Sequence, residues 1–373
     1  MSVFLFLKPF VDLLYGFQWL DVAMVVLAVC MLFYQYLLVR PDVKKMFRAA
    51  DAAVLLLVLC LTAAFLRDTA TWQTYIKVLS AFLMYFMGRL YYDRILECGD
   101  ALALSSYLII YINFIHRILT FGSKLLQVTN ADGDLYFYDT DLAYAMVLAF
   151  IFVSMFARNS VFKYVTLLLV CPYMIFWSDA GIQMVLFLAV VLVLVLYILE
   201  VALHRKTFAM IGMGALIAGL LLCVVFLYLP VFTGNASGIT SLFGDNSILN
   251  VTHMETRYAE WQEVFAVRRP EGAAEVLFGL GLNTQLPLKS LYLKAFYSIG
   301  VLGAAMGVLL IIFAFHAANR TQERKSFYIT MMLAILMLGS GVTFNTMETT
   351  QMSWFVMLFA GMVISSQGQQ TEQ

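Results

Sequence analysis

Apolar and polar stretches alternate along the chain with a long period. Apolar runs occupy 19–39, 50–66, 75–92, 102–121, 142–157, 162–178, 181–199, 208–230, 290–315, 327–344 and 351–366, each bounded by a polar or charged segment. A helix of roughly 20 apolar residues crosses the hydrocarbon of a bilayer with its backbone hydrogen bonds satisfied internally. The pattern therefore predicts an all-α polytopic integral membrane protein, one membrane domain over residues 1–373 with about eleven spans. Residues 3–18 contain Lys8, Pro9 and Asp12 in an otherwise apolar stretch. They read as an interfacial helix, or in the alternative as a twelfth span. The opening stretch has no basic start and no small-residue cleavage site, so it is not expected to be a removable signal.

The positive charges set an orientation. "RPDVKKMFR" (40–48), "RNSVFK" (158–163), "HRK" (204–206) and "NRTQERK" (319–325) fall in alternate loops. Lys/Arg-rich short loops stay on the cytoplasmic side. The loops at 67–74, 122–142, 178–181 and 345–352, and the long polar segment 231–289, then face outward. The polar tail 367–373 is expected to be disordered on the cytoplasmic side.

Composition sharpens the class. Hydrophobic residues make up 63% of the chain and charged residues 12%, against about a quarter charged in a soluble globular domain. The formal net charge is zero, and no basic patch with interleaved aromatics suggests a nucleic-acid partner. Of five cysteines, four lie in apolar runs and Cys98 in a short charged loop. That spacing suggests no disulfide or metal framework.

The long outward segment has internal order. "THMETRYAEWQEVFAVRRP" predicts a helix, with Thr252 and Glu255 as a capping box and Pro270 as the terminator. Met254, Tyr258, Trp261 and Phe265 form one apolar stripe, suited to the membrane surface or to the spans. His253, Arg257 and Glu260 share a polar face one step round. Arg268 and Arg269 sit in the last turn, where cations suit the helix dipole.

The region from this helix into the next apolar run carries a resemblance. Arg257 with Trp261, then Pro270, then Gly279 and Gly281 in F-G-x-G, then Lys289-Ser290 before Tyr292-Leu293, then Gly300 and Gly303 in G-x-x-G, resemble the C-terminal signature of the O-antigen polymerase and O-antigen ligase superfamily (Wzy/WaaL-like). "YFYDTDLAYAMVLAF" (136–150) and "IFWSDAGIQMVLFL" (175–188) are weaker echoes, so the likeness covers roughly residues 130–315. Lys289 stands where the ligases usually carry a His, which favours polymerase over ligase. Asp179 stands where an Arg is common, which removes one cation from the pattern.

The resemblance implies a glycosyltransferase whose substrates are oligosaccharides on undecaprenyl pyrophosphate. It would act at the periplasmic face of the bacterial inner membrane, in contact with the bilayer. A chain-length regulator protein is a further partner to consider. The donor is already activated, so no cofactor, nucleotide or metal is expected. Its leaving group is a multiply charged pyrophosphate, which Arg binds bidentately. Arg257, Arg117, Arg268, Arg269 and Lys289 are the cations available for it, with Tyr292 and Trp261 beside them. His253, Glu260 and Asp141 are the groups that could take a proton from the attacking hydroxyl. "DGD" (132–134) and "DTD" (139–141) match a metal-binding D-x-D pattern, but acidic-glycine loops are usually turns. A ligase acting on a lipid core shares this chemistry. A lipid-linked-oligosaccharide flippase is the alternative of another class, and it would favour a charged central cavity over spans nearly free of charge.

The orientation has a direct test. A reporter active only outside the cytoplasm should be active when fused near Ser247 and silent near Gln322. The reverse pattern would turn the protein over and remove the long segment from the periplasm.

Overall fold

An apolar run without breakers makes a helix in lipid because no other arrangement satisfies its backbone N–H and C=O groups. A computed structural model of the chain describes residues 1–13, 18–40, 47–67, 72–120, 139–177, 181–205, 207, 211–212, 214–215, 218–219, 254–282, 288–320, 324–342 and 344–369. Among these every regular element is a helix. In chain order the helices are α1 (Ser2–Leu13), α2 (Gln18–Val39), α3 (Ala49–Arg67), α4 (Trp72–Leu90), α5 (Tyr92–Glu97), α6 (Gly99–Thr120) and α7 (Asp139–Phe156). They continue with α8 (Val161–Pro172), α9 (Gly181–Leu203), α10 (Met254–Val267), α11 (Ala273–Phe278), α12 (Leu291–Arg320), α13 (Arg324–Ser340) and α14 (Thr350–Gln369). Five of them, α2, α3, α6, α9 and α12, are long and apolar enough to cross a membrane, and α7, α8 and α14 contain shorter apolar helices. The apolar run at 208–230 lies mostly outside the described residues.

Burial divides the helices into two classes. α7, α13 and α14 are covered on nearly every side. The helices around them expose large apolar side chains such as Phe33, Leu59, Leu104, Leu168 and Ile198. An apolar belt of this kind suits lipid rather than water. α8 starts from a Ser160 cap, whose hydroxyl accepts from the Lys163 amide at 3.2 Å. It runs into a π-helical turn at Tyr173–Trp177, directly after Pro172. Proline has no N–H to continue the ladder, and a widened turn follows it.

The tightest helix pair is α4 with α14. A Cβ on Gly361 would lie 3.0 Å from the Tyr85 carbonyl carbon and 3.1 Å from the Arg89 amide. A Cβ on Gly88 would lie 2.9 Å from the carbonyl carbon of Leu358 and 3.0 Å from the Met362 amide. Backbone meets backbone there, the mode of packing that small residues permit between helices in lipid. Polar bonds flank the contact: Trp354 Nε1 donates to Ser80 Oγ at 2.8 Å and Arg89 Nη1 to Ser365 Oγ at 2.8 Å. Arg89 Nη2 also reaches Asp51 Oδ2 at 3.0 Å, and Tyr85 OH donates to Asp51 Oδ1 at 2.6 Å. Glu200 makes a second buried pair, accepting from Arg324 Nε at 2.5 Å and Tyr328 OH at 2.6 Å.

α1 departs from the surface helix expected over 3–18. Phe4, Leu5, Lys8, Pro9 and Leu13 are buried, and the helix packs on α6, α2, α7 and α14. Lys8 is paired with Asp12 and lies 4.1 Å from the Trp354 ring centroid, while Asp12 Oδ1 accepts from Thr350 Oγ1 at 3.1 Å. Pairing within the bundle removes the reason for those charges to seek the interface. Twelve residues rise only about 18 Å, short of a bilayer's hydrocarbon thickness. At the other end of the chain, α14 continues to Gln369, two residues beyond the start of the expected tail.

Replacing Gly361 by Leu should force α4 and α14 apart. Overpacking of this kind costs about 1–3 kcal/mol, so the detergent-solubilised protein should melt at lower temperature, with Gly361→Ala intermediate. Unchanged melting in both variants would mean that the helices do not touch there.

Candidate functional site

The F-G-x-G element and the glycine of the following helix prove to be two halves of one joint. Gly279 has φ 77° and ψ 177°, and Gly300 has φ 68° and ψ −171°. Only glycine adopts that region readily. A Cβ on Gly279 would lie 2.5 Å from the Ser298 carbonyl, and one on Gly300 would lie 2.5 Å from the Gly279 amide. The turn after α11 therefore presses backbone-first into a kink of α12. Leu280 N–H donates to the Tyr297 carbonyl at 2.6 Å, about one turn before the kink. Arg67, at the end of α3, donates Nη1 to the carbonyls of Gly279 and, at 3.4 Å, Phe278.

The start of α12 is tied to the turn between α13 and α14. Leu291 N–H donates to Gly341 O at 2.7 Å, Ser290 Oγ to the same carbonyl at 3.3 Å, and Tyr292 OH to Leu338 O at 2.7 Å. Between these fixed points α12 stands off from its neighbours. A cavity of about 340 Å³ runs along it, walled by α3, α4, α13 and α14. Its α12 face carries Gly303, Ala304 and Gly307, and a Cβ on Gly307 would meet nothing within 4 Å. Most of the wall is apolar. Polar groups gather at one end, where Tyr292, Lys294, Ser298, Asn345 and Glu348 line it.

Lys294 is buried and Glu348 half-buried. Burial pushes the Glu348 carboxyl above its ordinary value, while Lys294, exposed Lys77 and a hydrogen bond from Asn345 pull it down, with burial the larger effect. A carboxylate held there is a stronger base than one in water.

Helix α10 forms as expected, ending before Pro270. The described part of its stripe faces protein: Trp261 is fully buried, Phe265 nearly so with its neighbour Val264, and Phe265 meets Tyr297 edge-on at 5.8 Å; the Met254 and Tyr258 side chains lie outside the described residues. Tyr297 OH donates to the Arg268 carbonyl at 2.9 Å, which fixes the end of α10 on α12. The Arg268 and Arg269 side chains are exposed, and Arg269 lies 5.7 Å from the Phe265 ring centroid. Glu260 meets Lys289 at 3.9 Å, a surface pair of the kind that contributes about 0–1 kcal/mol. Tyr292 lines the cavity. Arg117 sits in the last turn of α6, which packs on α1 and α7 and takes no part in the cavity wall. Arg257 lies in α10 and Asp141 in the first turn of α7, but their side chains lie outside the described residues. So do His253, the Thr252 cap, Asp179 and the "DGD" stretch.

Sequence pattern alone passes over Lys294, Glu348, Lys77 and Arg67. Lys294 does carry a signal, as a charge just inside an apolar run. Glu348 and Lys77 become notable only through the folding that sets them beside it. Among the described residues no group of three or more His, Cys, Asp or Glu could hold a metal ion. No protein-family model and no curated protein matches the chain.

Gly279→Ala should disturb the joint twice over, through a disfavoured φ and through a clash with the Ser298 carbonyl. A loss of roughly 1–3 kcal/mol is expected, read as a lower melting temperature. Gly272→Ala, in open space, should change melting little and serves as the control.

Proposed function

We propose that the protein is a polysaccharide polymerase of the bacterial inner membrane, with about eleven spans and its site on the periplasmic face. It transfers a glycan from undecaprenyl pyrophosphate to a hydroxyl of another lipid-linked repeat unit. The observation that carries this reading is the shape and polarity of the cavity along α12. An apolar slot that ends in a lysine and a carboxylate is complementary to a lipid whose long apolar chain ends in a charged, reacting head. The signature residues also converge on this place: Tyr292 and Gly303 line the slot, and Gly279 and Gly300 form the joint that bends its wall.

The reaction is a displacement at the anomeric carbon of the donor glycan. The acceptor oxygen forms the new bond, the bond to the pyrophosphate oxygen breaks, and the lipid pyrophosphate leaves with the electron pair. Cations aimed at the departing phosphates lower the barrier most. Lys294 lines the polar end, Lys77 acts on Glu348 from α4, and Arg257, Arg268, Arg269 and Lys289 belong to the segment that leads into α12. Arg257 is the first choice for the pyrophosphate, since it has no role in ending or capping its helix. The lysine at position 289, where ligases usually carry a His, favours polymer formation over transfer to a lipid core.

Purified protein incubated with a defined lipid-linked repeat unit should produce a ladder of products. Arg257→Ala should cut the rate on the order of one hundred-fold, with Arg257→Lys recovering part. Gly307→Phe, which fills the slot, should raise the KM for the lipid-linked substrate. Transfer only to an added lipid core would make the protein a ligase, and no covalent product would favour transport.

A further inference from the structure

The attacking hydroxyl must lose a proton, and Glu260, one of the two carboxylates suggested by sequence, is poorly placed to take it. Glu260 is engaged with the Lys289 ammonium on the surface, and neither residue lines the slot. Glu348 is placed differently. It belongs to the short turn between α13 and α14, and that turn is held firmly: Glu348 N–H donates to Asn345 O at 3.2 Å, and Gly341 O receives both Leu291 N–H and Ser290 Oγ. The carboxylate lines the polar end of the slot, together with Lys294 and Asn345. A lipid-linked head drawn into the slot would bring its anomeric carbon to that end.

We propose that Glu348 is the catalytic base of the transfer, with Lys294 as a cation that joins Arg257 in neutralising the departing pyrophosphate. This rests on the reading of the slot as the donor site. The proton of the acceptor hydroxyl passes to a Glu348 carboxylate oxygen as the acceptor oxygen bonds to the anomeric carbon. The bond to the pyrophosphate breaks with its electron pair, and Lys294 faces the new negative charge. Glu348 then returns the proton to water. The charged groups acting on Glu348 are Lys294 from α12 and Lys77 from α4. Both are cations, so each turnover keeps the mouth positive while the carboxylate is neutral. Burial lifts the carboxyl above the ordinary 4.5, which moves it toward the pH at which it must work.

Glu348→Gln keeps the side-chain shape but cannot take a proton. With the full-length protein and the lipid-linked repeat unit, kcat should fall on the order of 100-fold or more. KM and melting temperature should stay near those of the wild type. The wild-type rate should rise with pH along an acidic limb, and that limb should vanish from the residual activity of the Gln variant. Glu348→Asp should retain more activity than Glu348→Gln. A Gln variant that polymerises like the wild type overturns the assignment while leaving the polymerase reading intact. A loss that appears in KM or in melting temperature alone, with kcat preserved, makes Glu348 a structural partner of Lys294 and also overturns it. A wild type that forms no product overturns both readings.

Discussion

Everything else in the bundle is arranged around the contact of α4 with α14, where Gly88 and Gly361 let two helix backbones touch. In lipid there is no hydrophobic gain in bringing helices together, because the tails are as apolar as leucine. Close approach and interhelical hydrogen bonds must supply the association. The two glycines provide the first, and Trp354 to Ser80 with Arg89 to Ser365 provide the second. α14 is held on its other sides by α13 and α12, so the position of this one pair propagates to the wall of the cavity.

The cavity is the consequence of a helix that is not allowed to run straight. α12 spans 30 residues, and Gly300 interrupts it well before its middle. The F-G-x-G turn packs backbone-first against the kink, and Arg67 holds that turn by its carbonyls. Small residues beyond the kink then leave room that neighbouring helices do not fill. The glycines of the signature are thus construction elements. Gly279 and Gly300 shape the site through the backbone, whereas Tyr292, Lys294 and Glu348 provide its polar chemistry.

The buried charges fall into two kinds. Asp51 with Arg89, and Glu200 with Arg324 and Tyr328, are enclosed pairs with several hydrogen bonds each. Breaking such a pair by removing one partner leaves an uncompensated charge and is costly, which suits a fastening. Lys294 and Glu348 instead border open space. That difference in surroundings separates the enclosed pairs from the pair that lines the slot.

The sequence by itself determined the helical class, because apolar runs of span length have one solution in lipid. It placed α2 to α4, α6 to α9 and α12 to α14 within a few residues, passed over the short α5, and located α10 through its stripe and Pro270. It also marked Gly279, Gly281, Gly300 and Gly303 as a pattern, without revealing that Gly279 and Gly300 meet. Local pattern failed for α1, whose Lys8 and Asp12 look interfacial until they are seen to neutralise each other inside the bundle. It also pointed to other residues than most of those that line the polar end of the cavity. Arg117 and Asp141 attract notice as charges near helix ends, yet their helices α6 and α7 take no part in the cavity wall. Glu348, Lys77 and Arg67 draw none, because each looks like an ordinary loop or helix-end charge. Only the tertiary structure sets Lys294 beside Glu348 at the polar end of the cavity, with Lys77 near enough to act on that carboxyl, and brings Arg67 to the joint that bends the wall. Burial and proximity are properties of a folded arrangement of segments far apart in the chain, and no periodicity within a segment encodes them.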